Sequence, residues 1–266
     1  MQEIYRIRFI RSLYRGILKL RYFFSSLGFY PLRISLISNI PRYIKELSQY
    51  RSAGGFISNH FPVLNEYVGL AGTAKGHYFH QDLLVSQYIY TRKPVRHVDV
   101  GSRIDGFVAH VASFRKIEIL DIRSISNSEH PNIVYNQADL MNDKDLERTD
   151  SLSCLHTIEH FGLGRYGDQI NPEGYLVGFQ NLVNMVSPGG VLYISFPIGS
   201  KNEVHFNAHR VFHPTDIFSW GISNLQLLSF DYVDDLGNLH RNHDLTSDVP
   251  LLTYGCGIYT FLRKLE

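Results

Sequence analysis

From Arg96 to the end of the chain, short aliphatic runs alternate with longer mixed segments. Each run closes on an acid, a glycine or a proline, which is the pattern of buried strands. His97–Val100 runs into Gly101, and Ile117–Leu120 ends at Asp121. Ile133–Tyr135 is followed by Gln137-Ala138-Asp139, and Leu152–His156 forms a fourth run. Val191–Phe196 is the fifth, stopped by Pro197. Helices are predicted between them. One runs from about Gln81 through Ile89 and ends before Pro94, because a residue preceding proline avoids the helical region. The others cover Phe107–Ser113 and Tyr175–Val186, the latter closed by Ser187-Pro-Gly-Gly190. Residues 225–233 and 254–263 add two strands with an antiparallel ending, and 235–253 form an insertion before the last of them. The expectation is an α/β fold: a Rossmann-like, seven-stranded, mostly parallel sheet with helices on both faces.

Upstream the pattern differs. Residues 1–51 carry ten Lys/Arg against two acids, Glu3 and Glu46, which is +8; the rest of the chain is −7, for a net +1. Arg8, Arg11, Arg15 and Lys19 recur at helical spacing, with Ile10, Leu13, Tyr14, Ile17 and Leu18 on another face. This basic amphipathic helix reads either as a segment lying on an anionic membrane or as one packed on the main domain. A nucleic-acid arm is a third reading; RNA is the weaker partner and no DNA contact is expected. The predicted division is a basic helical N-terminal extension, 1–76, and a catalytic-type domain, 77–266.

Composition narrows the class. With 44% apolar and 19% charged residues, the chain belongs with folded proteins, not disordered ones. Cys154 and Cys256 are its two cysteines and neither sits in a CxxC, so a disulfide scaffold and a zinc knuckle are excluded and a reducing compartment is indicated. No apolar run approaches the ~20 residues of a membrane span, and arginines interrupt any signal-peptide core. A cytoplasmic protein, peripheral at the inner face of the membrane, is expected.

The strand ends carry the candidate chemistry. In open α/β sheets, ligands bind at the carboxyl ends of the strands. The first strand ends in Asp99-Val-Gly101-Ser102-Arg103-Ile-Asp-Gly106, the second in Asp121-Ile122, and the third is followed by Asp139. Asp121 suits a carboxylate accepting ribose hydroxyls, and Asp139 one accepting an adenine amino group. Leu155 closes the fourth strand beside them. Arg103 stands where a dinucleotide fingerprint needs its second glycine. The arrangement resembles the first motif of class I S-adenosylmethionine-dependent methyltransferases over roughly residues 77–265. That resemblance implies a seven-stranded sheet with one reversed strand and S-adenosylmethionine as cofactor. The runs GHYFHQDLLVSQYI, HVDVGSRIDGFVAHVASF, LSCLHTIEHFGLGRYGD and FNAHRVFHP resemble bacterial methyltransferase-like proteins, several of them encoded among surface-polysaccharide genes.

His156-Thr-Ile-Glu159-His160 puts three acid–base or metal-competent side chains on one face of a helical turn. His205, His209 and His213 follow the fifth strand and can converge at the same sheet end. The first group resembles the Glu-x-x-Glu-His segment of metal-assisted O-methyltransferases, with His156 in place of the first glutamate. By that resemblance His156, Glu159, His160 and His209 hold a divalent metal. A metal-free general base, His160 or His209, and a purely structural cluster are the other two readings. Arg210 is a candidate for binding an acceptor carboxylate or phosphate. Gly162–Gly167 reads as a lid or a turn-rich connector, and His77 and His80 as pocket caps or packing. The function expected is methyl transfer to a hydroxyl of a sugar in a surface-polysaccharide or glycolipid precursor. The alternatives are a noncatalytic scaffold and an RNA ribose methyltransferase.

Overall fold

The computed structural model describes residues 24–25, 28, 31–67, 71–124, 129–143 and 146–265. The amphipathic stretch from Arg8 to Lys19 lies outside them. The chain forms two compact units, Met1–Thr73 and Ala74–Glu266.

In the first unit, a 3-10 segment, Pro31–Asn39, leads into helix α1, Ile40–Ser52. Helix α1 buries none of its residues. Its exposed face is tied locally: Arg42 pairs with Glu46 one turn on, the Tyr67 hydroxyl donates to Glu46 at 2.9 Å, and Arg42 lies over the Tyr67 ring at 4.1 Å.

The second unit is built on one sheet. Helix α2, His77–Arg92, precedes strand β1, His97–Val100. A π-type turn, Ile104–Val108, passes into the short helix α3, Ala109–Ala112. Then come β2 (Ile117–Asp121), β3 (Ile133–Gln137), β4 (Thr149–Leu155), α4 (Gly174–Met185) and β5 (Val186–Ile198). A small ribbon follows, β6 (Glu203–His205) with β7 (His209–Val211), and then β8 (Leu225–Val233), β9 (Leu239–His240) and β10 (Gly255–Arg263). The sheet order is β3-β2-β1-β4-β5-β10-β8-β9. Strands β1 to β5 are parallel, and β10 runs antiparallel between β5 and β8.

Side chains along each strand alternate between two cores, as a pleated backbone requires. Leu192, Ile194 and Phe196 of β5 and Tyr259 and Phe261 of β10 face Phe179 and Leu182 of α4. Val191, Tyr193 and Ile258 point to the opposite face, against Leu84, Val85 and Ile89 of α2 and Val111 of α3. Both faces of the sheet are therefore covered, and its strand ends are left for chemistry.

The sheet has eight strands where seven were expected. The extra one, β9, is two residues long and pairs only with Tyr232 and Val233. The Ser187-Pro-Gly-Gly190 stretch belongs to β5, because Thr149 pairs with Val186 across a register shift. Among the described residues no helix is long and apolar enough to cross a membrane.

Candidate active site

Gly101 opens the loop after β1 with φ +70°, and a Cβ there would lie 2.3 Å from Thr157 Cγ2. Only glycine fits both the left-handed backbone and the close approach. The adjoining acid behaves differently from expectation. Asp99 is fully buried: Ser102 donates to it through its amide (3.0 Å) and its hydroxyl (2.7 Å), and Ser153 donates at 2.5 Å. That commitment orders the bonds of its neighbour. Ser153 has spent its proton on Asp99, so His97 Nε2–H donates to Ser153 Oγ (3.2 Å) and Ser151 donates to His97 Nδ1 (2.8 Å). Burial holds the His97 pKa down to about 3 and pushes that of Asp99 up to about 6. Asp99 and Ser102 therefore shape the loop from beneath and line no cleft. At Gly106 a Cβ would sit 2.7 Å from the Asp82 carboxylate, so the turn packs closely on α2 there. Asp99 and Ser102, expected at the cofactor, are buried and support the loop instead.

Two clefts open at the carboxyl ends of the parallel strands. The first is lined by Gly101, Asp121, Ile122, Arg123, Asp139 and Met141, among others. Asp121 and Asp139 thus share one hollow. Asp121 is already engaged: Arg123 reaches Oδ1 through Nε at 2.9 Å and Oδ2 through its terminal nitrogen at 2.5 Å. Asp139 accepts from the Met141 amide (2.9 Å) and the Asn142 side chain (2.6 Å). The second cleft is lined by His77, Tyr78, Arg103, Leu155, His156, Glu159, His160, Arg165, His209 and Tyr254. Gly101, Arg123, His156, His160 and Tyr166 line both. The clefts therefore meet at the histidines.

His156 follows β4 with φ +50°, an uncommon backbone for a residue with a bulky ring. Its Nδ1 donates to Glu159 Oε1 at 2.9 Å, while its Nε2 and Glu159 Oε2 are buried with no partner. Burial disfavours charge on His156. The Cys256 sulfur and the Glu159 carboxylate outweigh it and hold the pKa well above that of free imidazole. Burial likewise opposes charge on Glu159, and His156 and His160 overcome it, keeping the carboxyl below its usual range. His160 Nδ1 donates to the Ala208 carbonyl at 2.7 Å. His209 Nε2 is buried without a partner, and desolvation lowers its pKa to about 4, so the ring is neutral near pH 7.

Several candidate side chains are held by partners of their own. Arg210 lines neither cleft; its guanidinium is buried and donates to the carbonyls of Phe161 (2.6 Å), Pro172 (3.1 Å) and Glu159 (3.3 Å). It braces the segment after β4 and has no free face for a substrate anion. His205 pairs with Glu203 at 2.8 Å and His213 with Thr215, while His80 lines neither cleft, in keeping with its packing alternative. Among the described residues, the set His156, Glu159, His160 and His209 is not brought together with all its ligand atoms within 4.8 Å of one another.

Other lining residues carried no signal in the sequence. Arg123 and Tyr166 stand at the junction of the clefts, with the guanidinium over the ring at 4.6 Å. The Gly162–Gly167 stretch is pinned, since Asp168 accepts from the amides of Gly162 (2.9 Å), Gly164 (3.1 Å) and Tyr166 (3.1 Å). It is a fixed connector that presents Tyr166. Arg103 pairs with the exposed Asp105 at the rim.

Comparison with known proteins agrees with this topology. The solved structure of the [4+2]-cyclase SpnF has TM-score 0.51 and 11% identity, with 80% of this chain and 91% of that one covered. That likeness shows a shared Rossmann-like α/β fold. CalS10, an amino pentose methyltransferase from Micromonospora echinaspora, aligns at TM-score 0.47 and 12% identity over 79% of this chain and all of that one. The N-methyltransferase NodS from Bradyrhizobium japonicum aligns at 0.46 and 9%, covering 71% and 88%. A family model described as Caenorhabditis protein of unknown function, DUF268, matches residues 116–245. No curated protein matches.

Proposed function

We propose that the protein is an S-adenosylmethionine-dependent O-methyltransferase whose acceptor is a sugar hydroxyl. The observation that carries this reading is the junction of the clefts: a hollow ringed by Asp121 and Asp139 opens, past Gly101 and Tyr166, onto a cleft lined by buried imidazoles. The residues suit the cofactor. The Gly101 backbone allows close approach, and Asp121 offers a carboxylate for ribose hydroxyls. Arg123 must leave Asp121 for that contact to form. The cofactor supplies an electrophilic methyl group on a sulfonium sulfur.

The chain supplies alignment and a proton acceptor. A neutral alcohol is a weak nucleophile, so its proton must depart as the carbon–oxygen bond forms and the carbon–sulfur bond breaks. His209 suits the role of proton acceptor, because it lines the acceptor cleft, is neutral near pH 7, and has an unpartnered Nε2. The second cleft is large and rich in hydrogen-bonding side chains, which suits a glycan. The surface-polysaccharide or glycolipid precursor rests on the resemblance of the sequence runs. Residues 1–51, at +8, would hold the enzyme near an anionic cytoplasmic membrane face.

Transfer of a labelled methyl group from S-adenosylmethionine to glycan acceptors is the test. His209→Ala is expected to lower kcat by about 10²- to 10⁴-fold with cofactor affinity retained; unchanged kcat would remove His209 from the chemistry. The Asp121–Arg123 pairing also suits a noncatalytic binding platform, which predicts no cofactor binding below millimolar concentration.

A further inference from the structure

One cluster at the second cleft takes no part in proton transfer from the acceptor. Among the described residues, one group of three His, Cys, Asp or Glu side chains brings its ligand atoms within 4.8 Å of one another: His77, His156 and Cys256. They come from the first turn of α2, the end of β4 and the start of β10. Cys256 is fully buried; its Sγ makes long contacts of 3.8 Å to Gln81 Oε1 and 3.7 Å to the Gly257 carbonyl, and it also interacts with the His156 ring. His156 Nε2 is buried and unpartnered, while its Nδ1 is held by Glu159. A carboxylate on the far nitrogen is the usual device for aiming a metal-binding imidazole.

The ring spacing agrees with a shared ion. Two imidazoles on one tetrahedral zinc, with Zn–N near 2.0–2.1 Å, have ring centres about 5.2 Å apart. The centres of His77 and His156 are 5.3 Å apart. Their planes are stacked within 9° of each other, so one ring must turn about its side-chain bonds for both nitrogens to point at one ion. Bound donors would sit about 3.3–3.6 Å from one another, so the 4.8 Å group closes by small side-chain shifts.

We infer that His77, His156 and Cys256 form a zinc site whose fourth position faces the second cleft. One thiolate and two imidazoles favour zinc over magnesium or calcium. Three protein ligands leave the open position of a catalytic site, and His77 and His156 both line the cleft. Zinc binding releases the thiol proton and any proton on His156. If the methyltransferase reading holds, the fourth ligand is an acceptor oxygen, whose hydroxyl pKa the ion would lower.

The full-length protein is stripped with chelator and titrated with zinc, and in parallel with cobalt(II), whose bond to a thiolate gives a near-ultraviolet charge-transfer band. One equivalent of zinc is expected. The cobalt band should be present in the wild type and lost in Cys256→Ser. His77→Ala should weaken zinc binding at least 10-fold, and it tests the site even where Cys256→Ser does not fold, because His77 is only half-buried on a helix end. A cobalt complex without the sulfur band, or zinc affinity unchanged by His77→Ala, overturns the site. S-adenosylhomocysteine binding is measured on the same samples. Cofactor binding without zinc overturns this site alone, and zinc binding without cofactor overturns the methyltransferase reading alone.

Discussion

Among single residues, steric and electrostatic demands at the β1 loop make sharp predictions. Gly101→Ala must adopt a left-handed backbone, at about 1–2 kcal/mol, and must also displace Thr157 Cγ2. A lower urea midpoint and weakened S-adenosylhomocysteine binding are expected. Adding Thr157→Ser removes the clashing methyl but not the backbone cost, so recovery should be partial. Asp99 makes a pH prediction. Its folded pKa, about 6, lies above the ordinary 3.8, so the folded state takes up its proton first. The resulting stability is complete below about pH 4 and is lost as pH rises through 6. Asp99→Asn lacks this dependence, so the variant should gain on the wild type between pH 4 and 7 in urea titrations; a parallel pH dependence in both would contradict the buried carboxyl.

The positions of Asp99, Asp121 and Asp139 at strand ends were legible in the sequence, because strand ends are marked by where aliphatic runs stop. What each carboxylate bonds was not. Ser153, which turns Asp99 inward, is remote in sequence and becomes its neighbour only through β1–β4 pairing. Cys256 was invisible as a site residue for the same reason: its partners come from α2 and β4.

Among the elements, buried polar braces hold the segment after β4. Arg210 on β7 ties Glu159, Phe161 and Pro172, and Asp168 closes the glycine turn. Arg210→Met strips donors from three carbonyls, each costing on the order of 1–3 kcal/mol where it stays dry. Chemical denaturation should show a loss of a few kcal/mol, together with faster amide exchange over 158–172. Unchanged exchange there would contradict the bracing role.

Strands β1, β2, β8 and β10 lie close to where the hydrophobic pattern put them. Strand β4 begins earlier, at Thr149, because Thr149 and Ser151 are buried and hydrogen-bonded and so leave no apolar signal. The β6–β7 ribbon was read only as a histidine series. Its strands are three residues each, too short for a period to show.

In the molecule as a whole, the sheet order brings β1, β2, β4 and the segment after β5 to one end, which is why two clefts meet there. Both hydrophobic cores lie within Ala74–Glu266. That unit alone should therefore unfold cooperatively, with a midpoint near that of the full chain. The +8 segment, 1–51, predicts co-sedimentation of the full chain with anionic vesicles that fades as salt rises. Indifference to lipid charge would remove the membrane role and leave the site intact.

The proposed chemistry stands or falls with the hollow that holds Asp121 and Asp139, which must take an adenosine-bearing sulfur compound. Calorimetric titration with S-adenosylhomocysteine decides the matter. One-to-one binding well below millimolar is expected, weakened at least 10-fold by Asp121→Ala. No heat up to millimolar ligand, or an Asp121→Ala variant that binds as tightly as the wild type, would contradict it.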